Sequence, residues 1–116
     1  MKLIIAGFTD LQKLDNTIIK LAEEKQFFLF TVLCGGTGIR YDETGTRIKS
    51  MGELWAEKRG LPMEYIHSAD EERLLDRIAQ TADYIVADLS TDNQWVKRLM
   101  SWRKVRNFYT AEGAIP

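Results

Sequence analysis

Three short segments of the chain carry residues suited to chemistry on a phosphate or a sugar. The first is Cys34-Gly35-Gly36-Thr37-Gly38, which follows directly on an apolar run. Glycines leave backbone N–H groups unshielded, so this loop can wrap a phosphate, with the Thr37 hydroxyl as a further donor; alternatively the glycines only turn the chain. No Gly-Lys-Ser or Gly-Lys-Thr follows, so it is not a Walker loop, and it does not form the first-strand dinucleotide fingerprint. The second segment is Gly7-Phe8-Thr9-Asp10. Asp10 has the chemistry of a helix cap, which places Gly7, Phe8 and Thr9 where a helix N-terminus favours anions. Phe8 or Thr9 would line a base or sugar pocket there, unless the segment is a simple turn. The third group is a pair of carboxylates, Glu53 and Asp88, either of which could hold a sugar hydroxyl or act as general acid, base or nucleophile. Glu53 has a second explanation, because Ser50 and Glu53 have the spacing of a capping box.

Other reactive residue types fit plainer roles. His67 is the only histidine and has no nucleophile beside it in sequence, which favours a structural or solvent-facing position. Cys34 is the only cysteine, so no intramolecular disulfide forms, and no cluster of cysteine and histidine has metal-site spacing. No metal is expected and no cofactor is indicated. Lys97, Arg98, Arg103, Lys104 and Arg106 alternate with Trp95 and Trp102 in a pattern that would suit nucleic acid. Helical spacing explains it more simply, with tryptophans inward and cations outward, and a net charge of −1 gives no general attraction for polyanions.

These residues must be positioned by elements that the periodicity makes visible. Short apolar runs alternate with amphipathic stretches, the pattern of βαβ units and a mostly parallel sheet covered by helices. Strands are expected at residues 2–6, 27–33, 63–66 and 84–87, with a fifth at 105–109. Leu11, Leu14, Ile18, Leu21 and Ala22 mark the first helix, and a second opens at Ser50 and stops before Gly60-Leu61-Pro62. Ser68 with Glu71, and Thr91 with Gln94, repeat the capping-box spacing before a third helix, burying Leu74, Leu75, Ile78 and Ala82, and a fourth, with Trp95, Leu99 and Trp102 on one face. The 116 residues fit one α/β domain, a Rossmann-like three-layer fold with a sheet of four to five strands. Right-handed crossovers bring all the strand ends named above to one edge of that sheet. The longest apolar run is far shorter than a membrane span and no signal-peptide core opens the chain, so the expected setting is the cytoplasm.

The order of these motifs resembles the SLOG superfamily, in particular its small YspA/YpsA-like members related to the DprA and LOG proteins. The carriers are Ile4-Ile5-Ala6-Gly7-Phe8-Thr9-Asp10, Leu33-Cys34-Gly35-Gly36-Thr37-Gly38, Trp55-Ala56-Glu57-Lys58-Arg59-Gly60-Leu61-Pro62 and Thr81-Ala82-Asp83-Tyr84-Ile85-Val86-Ala87. The resemblance implies a Rossmann-like fold that binds a nucleotide or nucleotide-derived sugar at the glycine loop. It does not carry phosphoribohydrolase activity with it, because residues 35–42 only approximate the Gly-Gly-x-Gly-Thr-x-x-Glu pattern of the enzymatic LOG proteins. A second resemblance, to nucleoside deoxyribosyltransferases, rests on Gly45-Thr46, Gly52-Glu53-Leu54 and Ala82-Asp83-Tyr84-Ile85-Val86-Ala87-Asp88-Leu89, and would make Glu53 a nucleophile toward the sugar.

The sequence therefore leads first to a sensor or binding module for a small phosphate-bearing ligand, held by Gly7, Phe8, Thr9, Gly35, Gly36, Thr37 and Gly38. The alternatives are an N-glycosidic-bond enzyme using Glu53 or Asp88, and an interaction module built on the helix at 95–106. A homo-oligomer fits small domains of this kind.

Overall fold

Alternation along the strands sets the architecture of this α/β chain. The computed structural model describes residues 1–27, 29–36, 43–45, 49–90, 92–102 and 107–114, and these described residues form ten elements. They are β1 (Lys2–Ala6), α1 (Leu11–Lys25), β2 (Thr31–Gly36), α2 (Met51–Arg59), β3 (Met63–His67), α3 (Glu71–Thr81), β4 (Tyr84–Ala87), α4 (Gln94–Ser101), β5 (Phe108–Thr110) and β6 (Gly113–Ala114). Successive side chains of a strand point to opposite faces. Leu3, Val32, Cys34, Val86 and Tyr109 accordingly join one core with Leu14, Ile18 and Leu21 of α1 and Trp55 and Ala56 of α2. Ile4, Ala6, Leu33, Ile85, Ala87 and Phe108 join a second with Leu74, Leu75 and Ile78 of α3 and Val96 and Leu99 of α4. The result is a three-layer Rossmann-like fold with a helix pair on each face of the sheet.

The strand order is β3-β2-β1-β4-β5-β6. The first five strands pair in parallel and β6 closes antiparallel on β5. Winding runs outward from β1 through β2 and β3, then reverses through β4 and β5, so β1 and β4 flank the reversal. Ligands of open α/β sheets bind outside the carboxyl ends of the strands at such a point. Backbone and side chain lock the opposite end of the β1–β4 pair: Lys2 N–H donates to Asp83 Oδ2 at 2.7 Å, and Asp83 N–H to the Lys2 carbonyl at 2.8 Å.

Each helix pair is tied by a tryptophan and an arginine to carboxylates of its neighbour. Trp55 Nε1 donates to Asp15 Oδ1 at 3.1 Å and Arg59 bonds the other oxygen, joining α2 to α1. The Arg59 hydrogen bond outweighs burial and holds the Asp15 carboxyl below the usual carboxylate range. Trp102 Nε1 donates to Asp76 at 3.3 Å, and Arg98 pairs with Glu71, joining α4 to α3. Lys97 pairs with Asp92, so both described cations of the basic stretch have acidic partners, while Arg103, Lys104 and Arg106 lie outside the described residues.

Local boundaries depart from the sequence expectation where capping decides them. The second strand begins at Thr31 rather than at 27, because α1 ends in the left-handed cap Gln26 (φ 53°) and the chain must cross below the sheet before pairing with β1. Leu29, 79% exposed, lies on that crossing. The third helix is capped by Asp70, which accepts from Glu72 N–H, while Ser68 accepts from Asp70 N–H one step earlier. The fourth is capped by Asn93, accepting from Val96 N–H at 3.0 Å; Thr91 lies outside the described residues. Its buried face is Val96 and Leu99, with Trp95 only partly covered and Trp102 at the C-cap. The fifth strand starts at Phe108, later than expected.

Tyr109 is the largest fully buried side chain, and its hydroxyl has no hydrogen-bond partner of normal geometry among the described residues. Burial first, and the nearby Glu24 carboxylate second, push its pKa up to about 12. The folded state thus holds this proton more tightly than the unfolded chain. The resulting stabilisation is whole below the unfolded value near 10 and is lost as pH rises through about 12. Tyr109→Phe is expected to leave stability at pH 7 within about 1 kcal/mol of the parent, since the hydroxyl makes no hydrogen bond of normal geometry among the described residues. Urea unfolding of both proteins from pH 9 to pH 12 checks this: the parent should lose stability faster than the variant.

Candidate functional site

The carboxyl edge of the sheet is built, among the described residues, from the turns that follow β1 and β4 and from the end of β2. Gly7 leaves β1 with φ 81°, a left-handed conformation that glycine adopts without a Cβ penalty. Asp10 then caps α1, its Oδ1 accepting from Gln12 N–H at 2.9 Å. The structure separates Phe8 from Thr9. Phe8 is 5% exposed and belongs to the core beneath α1, whereas Thr9 and Asp10 are exposed at the edge. Phe8 therefore supports the site from below and does not line an open pocket.

Asp88, the residue after β4, sits on the other side of the reversal. Its N–H donates to the Ala6 carbonyl at 3.0 Å, which extends the β1–β4 contact one step past the ladder. Oδ1 accepts from Ser90 N–H at 2.9 Å and Ser90 Oγ at 2.7 Å, the side-chain turn geometry that aspartate favours two residues before a donor. Lys13 reaches over from the first turn of α1 to place Nζ 2.9 Å from Asp88 Oδ1 and 2.9 Å from Ser90 Oγ. Burial pushes the Asp88 carboxyl upward, but the bonds from Ser90 and Lys13 more than offset it and hold it below the usual carboxylate range. Asp88 is thus an ionised, bonded carboxylate. The end of β4 that carries Asp88-Leu89-Ser90 is expected from sequence at this edge, whereas Lys13 is not, because nothing local links it to Asp88.

Glu53 is brought to the same end of the molecule by the first turn of α2. The capping box forms as its spacing predicts: Ser50 Oγ accepts from Glu53 N–H at 3.3 Å, and Glu53 Oε1 accepts from Ser50 N–H at 3.5 Å. Its other oxygen, Oε2, accepts from the Tyr65 hydroxyl of β3 at 3.4 Å. Only 4% of Glu53 is exposed. Tyr65 is a further addition that sequence reasoning missed, because nothing local links it to a residue on α2.

Gly35 and Gly36 are the last two residues of β2, paired with Ile66 and His67 of β3, so the strand runs further than its apolar residues indicated. Thr37 and Gly38 lie outside the described residues. The two ladders of β2 end at different heights. Pairing with β1 stops at Ile4 with Leu33, while pairing with β3 continues to Gly36 and β1 continues against β4 as far as Ala6. Toward their carboxyl ends β1 and β2 therefore part. A partly enclosed cavity of about 130 Å³ lies at this parting, between Ser50 and Gly52 of α2 and Trp95 of α4. Close packing of α2 frames it: a Cβ on Gly52 would lie 3.4 Å from the Ile5 Cβ. Ile66 of β3 and Leu74 and Ile78 of α3 also line it, so the cavity extends from the strand edge into the second core.

A second, shallower cleft of about 460 Å³ lies along the outer face of α1, bounded by Lys13, Lys20 and Ala111. Among the described residues no group of three histidine, cysteine, aspartate or glutamate side chains is arranged to hold a metal ion, and no helix is long and apolar enough to cross a membrane. Comparison of the chain with family models, curated proteins and solved structures found no match.

Replacing Asp88 with asparagine keeps its shape but removes the charge that Lys13 and Ser90 satisfy. Asp88→Asn is expected to lose about 1.5–3 kcal/mol at pH 7, the range for hydrogen bonds to a charged group. Because the folded pKa is depressed, the stabilisation is present above the unfolded value of 3.8 and disappears as pH falls through the lower folded value. Denaturant titrations of parent and variant between pH 7 and pH 2 should converge at the acid end; a constant gap would show that the loss comes from something other than the ionised carboxylate.

Proposed function

We propose that this chain binds a nucleotide or nucleotide-derived sugar phosphate at the carboxyl edge of its sheet, as a sensor or ligand-binding module. The observation that carries the reading is the convergence at that edge of a winding reversal, a left-handed glycine and a glycine pair. Gly7 follows β1, Gly35 and Gly36 end β2, and Asp88 with Lys13 and Ser90 closes β4. Glycines at a strand end let backbone approach a phosphate closely, and Thr37 and Gly38 would continue that cradle. Thr9, exposed beside the capped start of α1, supplies a hydroxyl on the neighbouring turn. The resemblance of the motifs to the SLOG superfamily supports the same ligand class.

Bonding at the two carboxylates favours binding over catalysis. Asp88 is held by Lys13 and Ser90, and Glu53 by Ser50 and Tyr65. An N-glycosidic-bond enzyme would need one of them to reach the anomeric carbon or activate a water. Each instead spends hydrogen bonds on a turn or a helix start.

A thermal-shift panel of nucleoside monophosphates, ADP-ribose-type compounds and deoxynucleosides tests the proposal. A ligand at 100 times its dissociation constant should stabilise the protein by about 2.7 kcal/mol. The shift is expected with phosphate-bearing compounds and should disappear in Gly36→Asp, whose new carboxylate would repel the phosphate. Stabilisation by nucleosides as strong as by their monophosphates would count against a phosphate site, and product formation during incubation would move Glu53 or Asp88 to a catalytic role.

A further inference from the structure

We infer that the cleft along α1 is an anion subsite continuous with the carboxyl edge, and that the ligand is a nucleotide bearing a further acid group on a sugar attached to its phosphates. The inference rests on the nucleotide reading of that edge and adds the charged distal part of the ligand. Continuity, charge and hydrogen-bonding capacity carry it.

The cleft opens from the edge itself. Asp10 caps α1 there and Lys13 bonds Asp88 and Ser90, and both residues also line the cleft, which continues past Asn16 to Lys20 and Ala111. Its volume of about 460 Å³ falls within the roughly 300–1,000 Å³ of ligand pockets. Lys20 stands two helical turns beyond Lys13, about 10 Å along α1, so a group that meets it lies a sugar unit past a phosphate held near Lys13. The two lysines differ in charge balance. Lys13 is neutralised by Asp88, whereas Lys20 pairs with no carboxylate among the described residues and donates only to the Ala111 carbonyl, at a long 3.4 Å. That bond holds the ammonium between α1 and the turn from β5 to β6, where a Cβ on Gly113 would lie 4.0 Å from Nζ. The remaining lining is rich in donors. Gln12 Nε2 donates to Asn16 Oδ1 at 3.0 Å, and because each primary amide carries two N–H groups, three of the pair's four remain whichever way the amides are turned. The carboxylate on the lining, Asp10, commits Oδ1 to the cap of α1, at the end of the helix that favours negative charge. Unspent donors around an ammonium without a counter-ion match a group that only accepts, a carboxylate or a phosphate, over a hydroxyl.

Isothermal titrations with two matched pairs test the inference: UDP-glucose against UDP-glucuronate, and the dinucleotide NAD against NADP. Within each pair the compounds share a base and differ in one acid group carried on a sugar attached to the pyrophosphate, so the comparison does not depend on which base the edge prefers. The more acidic compound is expected to bind about fivefold more tightly in at least one pair, the scale of one exposed ion pair. Lys20→Met keeps the unbranched stem, removes the ammonium, and should bring the two compounds of that pair to the same affinity. Lys58→Met removes the same charge from an exposed position on α2, outside the lining of the cleft, and should keep the difference. Equal affinities within both pairs would overturn the inference and, since the compounds bind, leave the nucleotide reading standing. A preference that survives Lys20→Met, or one erased by both variants alike, would also overturn it, because the acid group would then be sensed elsewhere or only through the general field of the protein. Failure of all four compounds to bind would overturn the nucleotide reading and the subsite together.

Discussion

Everything in this fold hangs on β1 being paired along both of its edges. Its five residues supply side chains to both cores, Leu3 to one and Ile4 and Ala6 to the other, so the two helical layers are positioned relative to each other through this strand. Parallel pairing requires a crossover for each neighbour, and those crossovers are the helices that cover the sheet. The reciprocal bonds between Lys2 and Asp83 fix where β4 begins against β1. A slip of one residue would turn Ile85 and Ala87 toward the wrong layer and expose both cores at once.

That register also explains why polar groups gather at one end of the sheet. The β1–β4 ladder closes with the Asp88 N–H on the Ala6 carbonyl, leaving the Asp88 side chain at the junction where the two turns diverge. A buried carboxylate there is costly unless it is bonded, and the structure meets that cost with an ammonium from α1 and a serine two residues on. Glu53 shows the same economy at the start of α2. Both groups draw their geometry from the backbone around them.

The layers and the order of elements were legible because they are written in local periodicity. Leu74, Leu75 and Ile78 recur at helical spacing, Tyr84 to Ala87 form an apolar run of strand length, and Ser50 with Glu53 announces a helix start within four residues. Caps with several competing polar residues were read less well. Ser68, Asp70 and Glu71 all suit a helix start, and the choice of Asp70 depends on where β3 releases the chain. The site was legible only in part, for a physical reason. Lys13 meets Asp88 across 75 positions and Tyr65 meets Glu53 across two elements, and such contacts leave no periodic trace. Phe8 illustrates the converse: an aromatic beside a glycine turn reads as a pocket wall, but the turn directs it into the hydrophobic core. The parting of β1 from β2 is equally hidden, since it depends on where two separate ladders stop.

The double pairing of β1 also dictates an order of assembly. The strands on one side, β2 and beyond it β3, are complete by His67, but Lys2 and Asp83 are 81 positions apart. During vectorial synthesis the first three strands can associate while the second edge of β1 stays open, and it remains so until the segment beginning at Tyr84 has emerged. Contacts of such sequence separation require a large loop to close before they contribute any stabilisation, which slows folding relative to locally paired folds. The strand that organises the finished molecule therefore waits on β4 for its second partner, and until then its bare edge is open to pairing with a wrong partner.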